Sequence, residues 1–233
     1  PFPRAKTRLI DDGMKTPLLM CGPGIEPKTS TKSLVSSIDI APTILELAGL
    51  DKPKSFQGKS FAPILSNPNA KIRECAFSEH NWHDYQAYGR SVRKGEYLYI
   101  INKFPDKAWI GPGESVSSPS HQLRKAMLSG KELTPVQSDI FLCPRPGEEL
   151  YDTSKADKLQ IKNLANDPHY ADVLNEMRKI LKDWIDSTLD SVPENPTKDS
   201  FDHETGKRIL EKNQFSDDYA GKKRRAEYLI CPQ

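Results

Sequence analysis

Pro1-Phe2-Pro3-Arg4-Ala5-Lys6-Thr7-Arg8-Leu9-Ile10-Asp11-Asp12-Gly13-Met14-Lys15-Thr16-Pro17-Leu18-Leu19-Met20-Cys21-Gly22-Pro23-Gly24-Ile25 is the stretch on which the reading of this chain turns. From the residues alone, a basic, polar loop feeds the apolar run Pro17 to Cys21, which Gly22-Pro23-Gly24 then breaks. A short apolar run bounded by proline and glycine predicts a short buried strand. That strand by itself suggests no chemistry.

Downstream, Ser37 and Asp39 offer capping oxygens ahead of Ile40, Ile44, Leu47 and Ala48, which share one helical face, and Gly49 stands where a helix would stop. Pro42 fits only a first turn, which sets the helix start near Ile40. Glu74 to Glu79 reads as a strand that delivers the chain to Glu79-His80-Asn81-Trp82-His83-Asp84-Tyr85. Arg90 to Arg93 and Glu96 to Ile101 read as two strands joined by Lys94-Gly95, so an antiparallel sheet is expected here. Between Asn102 and Gly147 lies a Pro-, Gly- and Ser-rich excursion, interrupted by a helix that Ser118 would cap, Pro119 would open and Gly130 would end. Leu150 and Tyr151 fit a final strand.

Asp167 and Pro168 open the clearest helix, running to Leu189, with Val173, Leu174, Met177, Ile180, Leu181, Trp184 and Ile185 at helical spacing. The Met177 and Trp184 stripe reads as packing rather than a cofactor box. After Val192 the chain turns polar, with Pro193, Pro196 and the cluster Lys222-Lys223-Arg224-Arg225, and reads as a tail that wraps the surface or is partly disordered. Three segments result: 1–70, 71–190 and the tail 191–233.

A chain of 233 residues can bury a substantial core. With 34 Lys plus Arg against 32 Asp plus Glu, the net charge of +2 gives no field to gather nucleic acid, and no apolar run nears the roughly 18 residues that cross a bilayer. Neither nucleic acid nor membrane is therefore an expected partner. Cys21, Cys75, Cys143 and Cys231 are widely spread, which argues against zinc. Cys21 and Cys75 read as buried thiols, and a Cys143 to Cys231 disulfide stays open.

The opening stretch resembles the segment that sulfatases of the alkaline-phosphatase-like superfamily carry after their last metal ligands. Lys6, Thr7, Gly13, Lys15, Pro17 and Gly22-Pro23-Gly24 fall at that family's spacings. The resemblance extends through Ser36-x-x-Asp39-Ile40-Ala41-Pro42-Thr43-Ile44-Leu45-Glu46-Leu47-Ala48-Gly49-Leu50, Gly58-x-Ser60-Phe61-x-Pro63-x-Leu65, Glu149-Leu150-Tyr151-Asp152 and Asn163-Leu164-Ala165, and so spans Pro1 to about Ser187. It implies an α/β fold: segment 1–70 ends the large sulfatase domain, and 71–190 is a subdomain with a small antiparallel sheet backed by the long helix.

What the resemblance implies for chemistry is specific to a few residues. Lys6 occupies the position of a catalytic cation that touches the sulfate, a task for which a full positive charge with three donors is suited. Arg4 lies two residues away and is expected to reach the same anion. His83 and His80 sit in a cluster similar to the substrate-facing loop of bacterial sulfatases related to sulfamidase, the heparan N-sulfatase. Histidine beside carboxylate offers donor and acceptor to sugar hydroxyls, and Trp82 offers a stacking face. Pro1-Phe2-Pro3 is shared with sulfamidase, which has arginine where this chain has Lys6, so a point charge replaces a planar fork. Arg90 and Arg93 read as structural ion pairs, and no metal ligands are expected in this chain.

The family nucleophile is a formylglycine made from a (Cys/Ser)-x-Pro-x-Arg motif, and no such run occurs; Cys143-Pro144-Arg145 places its proline one position too early. The calcium and the formylglycine are thus expected on an N-terminal half of the same sulfatase, the implied partner, with the chain beginning in mid-protein. There a hydrated formylglycine attacks sulfur while calcium and Lys6 hold the sulfate oxygens. The expected activity is a sulfuric ester or sulfamate hydrolase acting on a sulfated glycan such as heparan-type glucosamine. The alternatives are a phosphonate or phosphodiester hydrolase and a noncatalytic glycan-binding module. The absent leader says nothing of compartment; the family suggests export, to a periplasm, a lysosome or outside the cell.

Overall fold

The computed structural model describes residues 4–109, 111–113, 119–154, 157–203, 205, 207–209, 211 and 214–223. Pro1-Phe2-Pro3, the Ser118 cap, Arg224, Arg225 and Cys231 lie outside the described residues. Along the chain come α1 (Asp11–Met14), α2 (Ile40–Leu47), α3 (Ala62–Ser66), β1 (Cys75–His80), β2 (Gly89–Lys94), β3 (Tyr97–Asn102), α4 (Pro119–Leu128), α5 (Pro135–Ser138), β4 (Glu148–Asp152) and α6 (Ala171–Ser187). They fall into two compact units, one of residues 4–15 with 77–223 and one of residues 16–76. No helix is long and apolar enough to cross a membrane among the described residues.

The larger unit is built on a sheet of order β1-β2-β3-β4, with β2, β3 and β4 paired antiparallel. The hairpin expected at Lys94-Gly95 turns one residue later: Lys94 pairs with Tyr97, and Gly95 stands first in the turn with φ 55°. A positive φ in that place matches the right-handed twist of the flanking strands and costs glycine nothing.

Side chains alternate between the two faces of the sheet. Leu98, Ile100 and Tyr151 form a buried cluster with Leu9, Ile10 and Trp109, with Met14 packed against it. Residues 4–15 are thereby woven into this unit. Residues of the other parity, with Val92, Tyr99 and Leu150 in register, belong to the side where α6 packs on β2 and β3. Helix α6 buries Leu174, Met177 and Leu181 and leaves the pairs Lys179–Asp183 and Lys182–Asp186 in solvent. Trp184 stacks on Phe77 of β1, ring centroids 4.9 Å apart, so the stripe is core as expected. Asp167 caps the segment by accepting the His169 N–H at 3.0 Å.

The smaller unit is organised by one buried carboxylate. Asp39 accepts the backbone N–H groups of Ser36 and Lys59, both at 2.8 Å, and pairs with Arg73. The start of α2 is therefore set by Ser36 and Asp39 acting across a short 3-10 turn, with Asp39 fixing the turn rather than serving as the cap. Thr43 accepts the Phe61 N–H at 2.9 Å, so the face of α2 turned into its own unit carries Pro42 and Thr43.

Two expectations fail in this unit. Pro17 to Cys21 is not a strand and is not buried: Leu19 is 93% exposed, and Cys21 is exposed as well. An extended run without a neighbouring strand has no ladder for its backbone and no surface for its side chains, so apolar composition alone cannot bury it. The Ile40, Ile44, Leu47 stripe of α2 lies on one helical face as read, and that face is turned outward, with Ile44 57% and Leu47 56% exposed. Cys75 is half-buried rather than fully buried.

Candidate functional site

The loop that carries Lys6 is held in a conformation its residues do not choose freely. Arg4 and Thr7 both have positive φ, 61° and 71°. For a β-branched residue such as Thr7 this is strained, and persists only where the surroundings impose it. One imposing element is Gly13: a Cβ there would lie 2.3 Å from the Arg8 carbonyl oxygen and 2.5 Å from that of Ala5. The glycine of the opening motif is what lets α1 fold against this loop.

Beneath the loop lies a buried ion cluster. Arg4 donates Nε to Asp139 at 3.0 Å and Nη2 to the Gln160 carbonyl at 3.1 Å. Arg8 donates to the same Asp139 oxygen at 2.8 Å and to the Trp109 carbonyl at 2.9 Å. Arg145 bonds Asp139 and Glu149, and both Arg8 and Arg145 lie against the Trp109 ring, 4.7 and 4.4 Å from its centroid. Burial, then the neighbouring Arg145 charge, brings Arg8 down to about 9, so it stays a cation at neutral pH. Burial pushes the Asp139 carboxyl up, but Arg8, Arg145 and Arg4 outweigh it and hold it below its usual range. Arg4, expected to reach the anion, is instead 4% exposed and committed to this cluster; its work is to hold the loop.

Lys6 is exposed, and the next residue, Thr7, lines a cleft. The cleft is shallow and open to solvent, and Thr7, His80, His83, Asp84, Gln86 and Trp109 are among the residues that line it. His80 ends β1 and stands edge-on to Trp109, centroids 6.1 Å apart. Its Nδ1 is buried and has no hydrogen-bond partner among the described residues. Burial above all, then the Arg8, His83 and Arg90 charges, lowers its pKa to about 4, which makes it a neutral ring at physiological pH. His83 is more open, with Nδ1 3.2 Å from Asp84 Oδ2. That carboxylate oxygen also accepts the Gly113 N–H at 2.7 Å. A carboxylate on Nδ1 orients the imidazole and leaves Nε2 to a ligand.

The polar tail, which sequence left on the surface, forms the wall behind this loop. Asp199 accepts the Gln86 N–H at 2.6 Å, Lys107 at 3.1 Å and His203 at 3.0 Å. Burial pushes the Asp199 carboxyl up, but the bonds from His203, Gln86 and Lys107 outweigh it and bring it down to about 2. The Ser200 N–H donates to the Asp84 carbonyl at 2.7 Å. Phe201 packs so tightly on Gly113 that a Cβ there would sit 2.2 Å from its ring. Trp82, read as a stacking face, instead donates its indole N–H to the Lys198 carbonyl at 2.9 Å and meets Phe215 edge-on. Sequence reasoning named Thr7 only as part of the opening motif and missed Gln86, Trp109, Asp139 and Asp199, for which the Asp199-x-x-x-His203 spacing offered a hint.

Arg90 and Arg93 are structural, as read: Arg90 pairs with Asp190 and Arg93 with Asp11. Among the described residues no group of three or more His, Cys, Asp and Glu converges to grip a metal ion, so the residues present do not fit a calcium site. What the cleft offers is a neutral imidazole, an oriented imidazole–carboxylate pair, a hydroxyl and an aromatic wall, with a cation one residue from its edge.

Curated proteins are similar in sequence to much of this chain. The chain is 33% identical over 190 residues to the ulvan-active sulfatase of Formosa agariphila, covering 79% of this chain and 31% of that protein. It is 41% identical over 173 residues to N-acetylglucosamine-6-sulfatase of Bos taurus, covering 72% and 27%. In fold it is similar to a candidate sulfatase from Bacteroides thetaiotaomicron VPI-5482, with TM-score 0.51 and 27% identity over 81% of this chain and 36% of that one. The chain belongs to the sulfatase family, a family of sulfuric ester hydrolases. Within it, residues 5–102 match the C-terminal region of N-sulphoglucosamine sulphohydrolase, and the chain spans about three-tenths of the length of the curated relatives it matches.

Proposed function

We propose that this chain supplies the anion-neutralising cation and the sugar-facing cleft of a sulfuric ester or sulfamate hydrolase that acts on a sulfated glycan of the heparan glucosamine type. One observation carries the reading: Lys6 directly precedes Thr7, which shares a cleft with His80 and the His83–Asp84 pair. A tetrahedral anion at Lys6 then brings its sugar to the cleft. The ammonium neutralises charge that grows on the bridging oxygen as the bond to sulfur breaks. His83, oriented by Asp84, exchanges a hydrogen bond with a sugar hydroxyl, and His80 adds a neutral ring nitrogen. Arg4 and Arg8, tied to Asp139, keep the strained loop in place so that Lys6 is presented to the anion.

The nucleophile and the calcium are assigned to an N-terminal half of the same sulfatase, because this sequence has no (Cys/Ser)-x-Pro-x-Arg run. The same half is the proposed cover for the apolar run Leu18 to Met20 and for the outward stripe of α2. Names of relatives favour a sulfated glycan: one is an ulvan-active sulfatase, another an N-acetylglucosamine-6-sulfatase.

Sulfate release by the full-length protein from 6-O-sulfated and from N-sulfated glucosamine, read by ion chromatography, tests the proposal. Release from one of them, lost when Lys6 is replaced by alanine, is the expected result. Release from neither leaves a glycan-binding module as the better description.

A further inference from the structure

We infer that residues 198–203 of the tail are a positioning clamp for the loop 82–86: they hold Asp84, and through it the His83 ring, so that affinity for the sugar depends on Ser200 and Phe201. The inference rests on the proposed sulfatase reading, in which His83 meets the sugar, and adds the residues that aim it. The family model matches residues 5–102, and the tail lies beyond them.

Four of the five loop residues meet the tail. Trp82 donates its indole N–H to the Lys198 carbonyl, and the Asp84 carbonyl accepts the Ser200 N–H. The Tyr85 ring lies 4.2 Å from that of His203, and the Gln86 N–H goes to Asp199. The fifth, His83, pairs with Asp84 and lines the cleft. This loop joins β1 to β2 outside their ladder, so its backbone groups need partners elsewhere, and the tail provides them.

Asp84 is gripped at both ends. Its main chain bonds Ser200 directly, while its Oδ2, the oxygen that meets His83 Nδ1, accepts the N–H of Gly113, on which the Phe201 ring is packed. The tail is held in turn. The Ser200 carbonyl accepts the Ile209 N–H and the Lys207 carbonyl the Asp202 N–H, both at 2.8 Å, and Lys107 and His203 hold Asp199. A ring whose carboxylate partner is already fixed in main chain and side chain loses little freedom when a sugar binds. Freed from the tail, the loop would have to be ordered at the moment of binding, which weakens it.

The test measures sulfate release by the full-length protein from 6-O-sulfated and N-sulfated glucosamine. Phe201→Ala is expected to raise KM about tenfold and to leave kcat within about twofold, the mark of lost binding rather than lost chemistry. Gly113→Ala, which drives a methyl into the Phe201 ring, should raise KM likewise. An unchanged KM in both variants, or a fall in kcat as the main effect, overturns the inference. The second readout needs no turnover: the ring-nitrogen NMR shifts of His83 in histidine-labelled full-length protein, assigned by their loss in His83→Gln. They should move in Phe201→Ala and stay in place in Lys179→Ala, a change on the exposed face of α6. If they move in Phe201→Ala and no sulfate is released from either sugar, the clamp stands and the sulfatase reading has failed. If they stay in place in Phe201→Ala, the clamp is overturned whatever the kinetics.

Discussion

Arg90 and Asp190 meet with neither side chain exposed to solvent, Nε to Oδ2 at 2.5 Å and Nη2 to Oδ1 at 3.0 Å, across 100 residues of sequence. The pair ties the end of α6 to β2, and Tyr88 joins it by donating its hydroxyl to Asp190 at 2.9 Å and lying under the Arg90 guanidinium. Asp190→Ala strands a buried cation and is expected to cost about 3–5 kcal/mol. The double change Arg90→Met, Asp190→Leu, which removes both charges, should melt closer to wild type than the single one. Thermal unfolding of the three proteins checks this; equal destabilisation by both would mean that the charge pair is not what matters.

His80 should make the fold acid-sensitive. Its folded pKa, about 4, lies below the ordinary histidine value of 6.5, so the neutral form is the one the native state favours. Stability from this group is therefore full above pH 6.5 and is lost as pH falls toward 4, by about 3 kcal/mol in all. Denaturant unfolding between pH 7 and 4 measures it, and His80→Phe should flatten that part of the profile. A His80 ring that titrates near 6.5 by NMR would contradict the prediction.

Asp199 acts lower on the pH scale. Its folded pKa, about 2 against an ordinary 3.8, is depressed, so its contribution is present above pH 4 and is lost as pH falls through 2. The shift corresponds to about 2 kcal/mol. Asp199→Asn is expected to remove that acid dependence and to loosen the loop from His83 to Gln86. Faster amide exchange at Gln86 in the variant is the direct readout, and unchanged exchange would show that the tail does not hold the loop.

Lys6 is expected to govern turnover in the intact enzyme. Lys6→Ala should lower kcat about 100- to 1,000-fold, as loss of one group aimed at developing charge does. Lys6→Arg, which keeps the charge but spreads it over a planar fork, should retain more activity than the alanine variant. A Lys6→Ala enzyme with unchanged kcat would remove the cation from the mechanism.

The outward stripe of α2 and the run Leu18 to Met20 should make the 233-residue chain adhesive when purified by itself. Binding of a hydrophobic dye and self-association on a sizing column are the measurements. Both should fall when Leu19, Ile44 and Leu47 are replaced by glutamate, and a lack of change would mean that this face is not the adhesive one.

Much of the fold was legible because local rules carry it. The strands at Glu74 to Glu79 and around Arg90 to Ile101, the Asp167 cap and the apolar stripe of α6 follow from alternation, helical period and capping chemistry, each acting within a few residues. The hairpin missed its register by one residue because Lys94-Gly95 and Gly95-Glu96 are both plausible turns, and the pairing of Lys94 with Tyr97 decided between them. Pro17 to Cys21 misled for the opposite reason: its apolar residues announce burial, but burial needs a partner surface that composition does not locate.

The sequence by itself determined most of the elements that form, the strand expected at Pro17 to Cys21 excepted, and it pointed to Lys6, His80 and His83 as the residues with chemistry to offer. Only the tertiary structure decided that Arg4 turns inward to Asp139 while Thr7 turns to the cleft, and that a tail residue, Asp199, anchors the loop at Gln86 more than a hundred positions away. The physical reason is range. Propensity, period and caps are fixed by neighbours along the chain, whereas ion pairs and cleft walls are fixed by which charges and surfaces the packed core brings together.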